Sequence, residues 1–143
     1  MKFLIGVLMM SFSLMAGFKA IDANELLKMQ KQGVVVIDIR TPAEWKERGV
    51  IKGAKTMMFF TPTGNADVGN FMFELGHLIK DKKEPFIIYC AHANRTKELG
   101  RWLNSLGFKN VYELDGGIEY GWIDKGFKTV PYNKVSAFLA LTR

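Results

Sequence analysis

The segment Cys90-Ala91-His92-Ala93-Asn94-Arg95-Thr96 concentrates the reactive side chains of this chain. Cys90 is its only cysteine, and Arg95 follows five positions later. A tight loop of small residues can turn consecutive backbone N–H groups inward as an anion nest. A helix opening behind the loop adds a positive N-terminal end. Arg95 adds a fixed charge and a fork of donors. All three favour thiolate over thiol and would hold an anionic substrate against the sulfur. A free cysteine ending a strand also reads as a small buried hydrophobe. The arginine on the turn into the helix tips the balance toward a nucleophile. His92 has two readings: a group that tunes the thiolate or passes on a proton, and a solvated loop residue. His77 lies in a helical stretch and reads as structural or solvated.

Such a loop needs rigid elements on both sides. Phe86-Ile87-Ile88-Tyr89 reads as a buried strand that delivers Cys90. Leu99, Trp102, Leu103 and Leu106 recur at helical spacing, which predicts a helix over 96–106 stopped at Gly107. Val34-Val35-Val36-Ile37 predicts a second buried strand, ending in Asp38-Ile39-Arg40. Thr41-Pro42 is a helix entry, with Thr41 as N-cap and proline in the first turn. Spaced apolar positions predict a helix over 21–29, stopped near Gly33, and another over 71–78. Residues 56–60 and 111–114 predict further strands, and 61–70 a loop. Gly116-Gly117 opens a short helix carrying Trp122. Strands alternating with helices imply an α/β fold, with a mostly parallel sheet covered on both faces. Ligands of such sheets bind outside the carboxyl ends of the strands, where Cys90 stands.

Composition sets the outer limits. The chain has 143 residues, 48% hydrophobic and 24% charged, which suits one globular domain plus a targeting segment. A single cysteine forms no disulfide within the chain and excludes four-thiolate metal centres. With two histidines, a multi-ligand transition-metal site is not expected. The formal charge of +6 favours anionic partners. The lysines are scattered, with no basic run interleaved with aromatics, so no nucleic-acid partner is expected.

Residues 1–16 form a separate object. Lys2 precedes an apolar stretch that ends in small residues, as in a secretory signal. The best cut follows Ala16, although Leu14 fits the small-x-small rule poorly. The sequence thus divides into a signal over 1–16, a domain over 17–131 and a tail over 132–143 with an apolar, helix-compatible patch. It predicts an exported protein, placed in a bacterial periplasm, with no membrane span in the mature chain. Two other readings of the leader stay open: an N-terminal anchor over 3–18, and a buried first helix. In an exported protein an unpaired cysteine suggests a partner thiol or a free reactive sulfur.

Three segments together resemble the rhodanese family. Val36-Ile37-Asp38-Ile39-Arg40-Thr41-Pro42-Ala43-Glu44-Trp45, continuing to Gly53-Ala54, is similar to the family's first signature. Tyr89-Cys90 through Arg95-Thr96 is similar to its active-site loop, and Leu114-Asp115-Gly116-Gly117 with Trp122 to its closing motif. The resemblance spans roughly residues 18–130, and its order and separations are what make it specific. It implies a single-domain thiosulfate sulfurtransferase with a three-layer α/β fold. Cys90 would take a sulfane sulfur from thiosulfate or a similar donor, hold it as a persulfide, and pass it to cyanide or a thiol. Loop N–H groups would stabilise the persulfide, and Arg95 would orient the anionic donor. A protein acceptor is compatible with it, and no metal or organic cofactor is implied. Asp38 and Arg40 match positions near the site, where an ion pair with each other or with Glu44 would brace the loop. Glu44 and Trp45 look structural.

Two departures and two alternatives accompany the resemblance. Gly49-Val50-Ile51-Lys52-Gly53-Ala54 lacks the histidine often found after the first glycine, and Ala93 stands where glycine is common. If that backbone needs positive φ, alanine carries strain of order 1 kcal/mol. A cysteine phosphatase or arsenate reductase also combines thiolate, anion loop and arginine, but its loop is one residue longer than this one. A regulatory or persulfide-carrying binding module of the same fold is the other alternative. Such modules often lack the cysteine.

Overall fold

The computed structural model describes residues 17–134. Strand β1 (Gly17–Ile21) leads into helix α1 (Ala23–Lys31), then β2 (Val35–Asp38) and α2 (Pro42–Arg48). After a two-residue strand β3 (Lys55–Thr56) come α3 (Val68–Leu78), β4 (Phe86–Tyr89), α4 (Asn94–Ser105) and β5 (Asn110–Leu114). A short π-helical segment, Glu119–Ile123, follows. The five strands form one sheet in the order β1-β5-β4-β2-β3, and every pairing within it is parallel.

The central strands are buried on both faces, which is why they read as continuous apolar runs rather than alternating ones. All four residues of β4 are fully buried. On one face Ile37, Ile88, Cys90 and Val111 pack with Leu75 of α3 and Leu99 and Leu103 of α4. On the other, Val36, Ile87, Tyr89 and Leu114 meet Leu26 and Met29 of α1, then Ile118 and Trp122. The α/β expectation with helices on both faces is met.

One local expectation is corrected, and one strand was not expected. The apolar run at 56–60 is not a strand, because β3 ends at Thr56. Met57 and Phe59 fill the core at 2% and 5% exposure, and their N–H groups reach back to Asp38 and Ile39. The run is apolar because it plugs the sheet edge, not because it joins a ladder. Conversely, β1 was hidden beside the apolar leader. Its Phe18 packs so closely on α4 that a Cβ on Gly100 would lie 2.3 Å from the Phe18 ring. The anchor reading over 3–18 therefore overlaps β1 at Gly17 and Phe18. Residues 1–16, and 135–143 of the tail, lie outside the described residues. Within the tail, Tyr132 stacks on Trp45 with ring centroids 5.3 Å apart. Among the described residues no helix is long and apolar enough to cross a membrane.

Candidate active site at the end of strand β4

Register brings the site together. Asp38 pairs with Tyr89, and Ile39 N–H donates to Tyr89 O at 3.0 Å. The turns leaving β2 and β4 therefore lie side by side at the carboxyl edge. Cys90 emerges there at 1% exposure.

The loop after Cys90 is held from behind. Ile118 N–H donates to Cys90 O at 2.9 Å, and Glu119 N–H to Ala91 O at 3.0 Å. A trans peptide points its N–H opposite its C=O. With those two carbonyls turned toward the segment after β5, the N–H groups of Ala91 and His92 point the other way. Among the described residues, the N–H groups of Ala91, His92 and Ala93 donate to no protein acceptor. Close approach requires Gly117: a Cβ there would sit 2.3 Å from Ala91 O. Ala93 then adopts φ 64°, ψ 13°, and is the only non-glycine residue with positive φ among the described residues. The strain considered for alanine at this position is present, of order 1 kcal/mol. Ala93 is also the N-cap of α4 and supplies no side-chain acceptor. Donors of the loop and of the first helical turn are thus left for a bound anion.

Arg95 has a partner that the sequence did not single out for it: Nη1 and Nη2 donate to the two Glu44 oxygens at 2.8 and 2.6 Å. The reason lies in α2. Thr41 caps that helix and Glu44 sits at its third position, completing a capping box with Thr41 N–H at 2.9 Å. This aims the carboxylate at the first turn of α4. Burial resists ionisation of Glu44, but hydrogen bonds from Arg95 and Thr41 outweigh it and hold its pKa at about 2. The same bond to Glu44, ahead of the opposing effect of burial, raises Arg95 above its ordinary value. Glu44 is therefore a site residue, and its signal in the sequence was the Thr41-x-x-Glu44 spacing. Beside the pair opens a cleft of about 560 Å³, lined in part by Thr41, Phe60, Thr61 and Glu98.

Asp38 and Arg40 form an ion pair with each other, one of the two pairings expected. Both are buried, with Arg40 Nη2 2.7 Å from Asp38 Oδ2. Oδ1 accepts from Arg40 N–H and Nε, and Nη2 also donates to Gly49 O at 2.7 Å. One side chain thus ties the end of β2 to the far end of α2. Burial opposes the charge on Arg40, yet Asp38 raises its pKa overall. Tyr89 lies beneath, 5.8 Å from ring centroid to guanidinium, and burial with the Asp38 charge pushes its phenol well up. Its hydroxyl accepts from Ile51 N–H at 3.0 Å, just after Val50, where the family's usual histidine is missing.

The histidines separate. His92 is exposed and packs against the Tyr120 ring, with centroids 4.7 Å apart and the rings tilted by 43°. His77 lies away from the loop, on Phe73 of α3. Thr96 is fully buried, and its hydroxyl meets the Cys90 sulfur at 3.7 Å. Among the described residues no group of three His, Cys, Asp or Glu side chains could hold a metal ion.

Residues 22–124, nearly the whole described fold, match the family model of the rhodanese-like domain. The chain belongs to the rhodanese family. Within that family it is 33% identical over 105 residues to the thiosulfate sulfurtransferase GlpE of Pseudomonas entomophila, covering 73% of this chain and 85% of that protein. The polysulfide-sulfur transferase homodimer of Wolinella succinogenes superposes with a TM-score of 0.61 at 23% identity, covering 82% of this chain and 81% of that one. The Alr3790 protein of Anabaena gives 0.60 at 22% identity, covering 81% and 86%. Such structural likeness fixes the rhodanese fold. It leaves the chemistry to the residues at the end of β4.

Proposed function

We propose that the protein is a sulfurtransferase that carries sulfur on Cys90, with thiosulfate or a similar sulfane compound as donor. The observation that carries this reading is the open loop itself. A buried cysteine opens a loop whose Ala91, His92 and Ala93 N–H groups have no protein acceptor among the described residues, at the N-terminus of α4. The name of the GlpE relative supports the same class.

The Cys90 thiolate would attack the outer sulfur of thiosulfate. The S–S bond of thiosulfate breaks, and sulfite leaves with its electron pair. The new persulfide carries a negative charge on its outer sulfur, which the N–H groups of Ala91, His92, Ala93 and Asn94 would stabilise. Cyanide or a thiol, free or on a protein, then attacks that outer sulfur and releases the Cys90 thiolate. Because Glu44 occupies the fork of Arg95, the arginine contributes by holding the loop's exit and α2 together. Direct binding of the donor falls to the backbone. Thr96 backs the sulfur, and Asp38 with Arg40 braces the adjoining turn. The leader over 1–16 supports export to a periplasm, where the donor would be met.

Incubation of the protein with thiosulfate, followed by intact mass measurement, tests the reading. A gain of one sulfur is expected, removed by cyanide and absent in Cys90→Ser. No gain, or the same gain in Cys90→Ser, overturns it.

A further inference from the structure

Glu113 lies in the middle of the sheet with 2% exposure, in register with Ile88. Paired residues of parallel strands share a face, and Ile88 shares its face with Cys90 by alternation. Glu113 therefore sits on the same side as the sulfur, under α4. Thr96 connects the two. Its hydroxyl donates to Glu113 Oε2 at 2.6 Å and accepts from Cys90 Sγ at 3.7 Å. A hydroxyl owns one proton. With that proton committed to Glu113, Thr96 offers the sulfur only lone pairs, which suits S–H and not S⁻. Lys97 Nζ holds the other carboxylate oxygen, Oε1.

The remaining charges around Cys90 are already engaged. Arg95 is paired with Glu44 from α2, and Asp38 with Arg40 at the end of β2. Glu119, after β5, is paired with Arg48, while His92 is exposed. Glu113 also lines a cleft of about 540 Å³ with Phe18, Ala20, Lys97, Arg101 and Asn104, so one further cation, Arg101, shares that cleft.

We propose that Glu113, acting through the Thr96 hydroxyl, sets whether Cys90 is a thiol or a thiolate. The inference rests on Cys90 as the nucleophile proposed above. While Glu113 is ionised it holds the Thr96 proton, and Cys90 keeps its own as a thiol. When Cys90 ionises, its S–H bond breaks, the proton leaves to solvent and the sulfur keeps the electron pair. The thiolate gains a hydrogen bond only to the extent that Thr96 turns its proton from Glu113 to the sulfur. No electron is transferred, and reprotonation restores the thiol. Glu113 is a positioning residue, since it reaches the sulfur only through Thr96.

Alkylation of Cys90 by iodoacetamide across pH tests this without any sulfur donor, because it reads the thiolate alone. Glu113→Gln keeps the shape and frees the Thr96 proton for the sulfur. Its rate below the midpoint is expected to rise about tenfold, with the profile moved about one unit to lower pH. Lys97→Met leaves the carboxylate without its counter-charge and is expected to slow the reaction about threefold or more. In a Thr96→Val background Glu113→Gln should change the rate less than about twofold, and Thr96→Ser should restore the full effect. An equal effect of Glu113→Gln with and without the hydroxyl, or none with it, overturns the proposal. So does faster alkylation in Lys97→Met, a surface change that remains readable if Glu113→Gln does not fold. These shifts in a protein that gains no sulfur from thiosulfate would support Glu113 and sink the sulfur-transfer reading alone.

Discussion

The turns that leave β2 and β4 are neighbours with the same architecture, a buried parallel strand passing into a helix, yet they are finished in opposite ways. The β2 turn closes on itself. Asp38 and Arg40 pair in the interior, Thr41 and Glu44 cap α2 reciprocally, and Pro42 sits in the first turn. The β4 turn has none of these devices. Its N-cap is an alanine in a left-handed conformation with no side-chain acceptor, and its N–H groups point away from the elements that hold its carbonyls. Where the first turn supplies the helix N-terminus with side chains, the second leaves it without a side-chain cap. The two are coupled, because Glu44, which caps α2, is also the partner of Arg95 in α4.

The sharpest way to break the closed turn is Arg40→Met. It leaves Asp38 buried at 0% exposure without its partner. Stranding a buried charge costs about 3–5 kcal/mol, so urea unfolding should show a loss of that size. Cys90→Ser, in the open turn, should change stability by less than about 1 kcal/mol. Similar losses in the two variants would mean that the turns do not divide into brace and site.

The coupling between the turns has a pH signature. Glu44 ionises at about 2 in the folded chain, against an ordinary value of 4.5. A carboxyl whose folded pKa is depressed stabilises the fold above its unfolded value and loses that contribution as pH falls through its folded one. The Glu44–Arg95 contribution should therefore be intact above pH 4.5 and vanish toward pH 2. The pair is more than a quarter exposed at both ends, so solvent screening limits its worth to about 1 kcal/mol. Glu44→Gln should lower stability by that amount at neutral pH and flatten the acid limb of the stability curve between those two values. An unchanged acid limb would show that Arg95 does not depend on Glu44, and would return its fork to the substrate.

Residues with local signals made the closed turn legible in the sequence. β-branched runs, Thr41-Pro42 and the spacing to Glu44 each act within a few positions, and Asp38 with Arg40 was already a candidate pair. Cys90 and its loop were legible because strand end, small residues and helix start are contiguous. What escaped was set by strand order. Nothing local says that β5 lies between β1 and β4, so Glu113 read as one acidic residue in a strand, not as a buried partner of Thr96. The Glu44 partner of Arg95 escaped for the same reason, since it lies 51 positions away. β1 escaped because its apolar residues continue the leader.

The finest test concerns what holds the open turn open. Ala93 sits at φ 64°, where a Cβ costs of order 1 kcal/mol. Glycine would relieve that strain but adds about 0.4–1 kcal/mol of unfolded-chain entropy, so the two nearly cancel. If the carbonyl bonds to Ile118 and Glu119 impose the conformation, Ala93→Gly should leave stability within about 0.5 kcal/mol. Sulfur loading from thiosulfate should then stay within about twofold of the parent protein, since the loop would be pre-set from behind. A marked loss of loading at unchanged stability would give a different answer. The alanine, by denying the loop other conformations, would itself be what keeps the donors aimed at the sulfur.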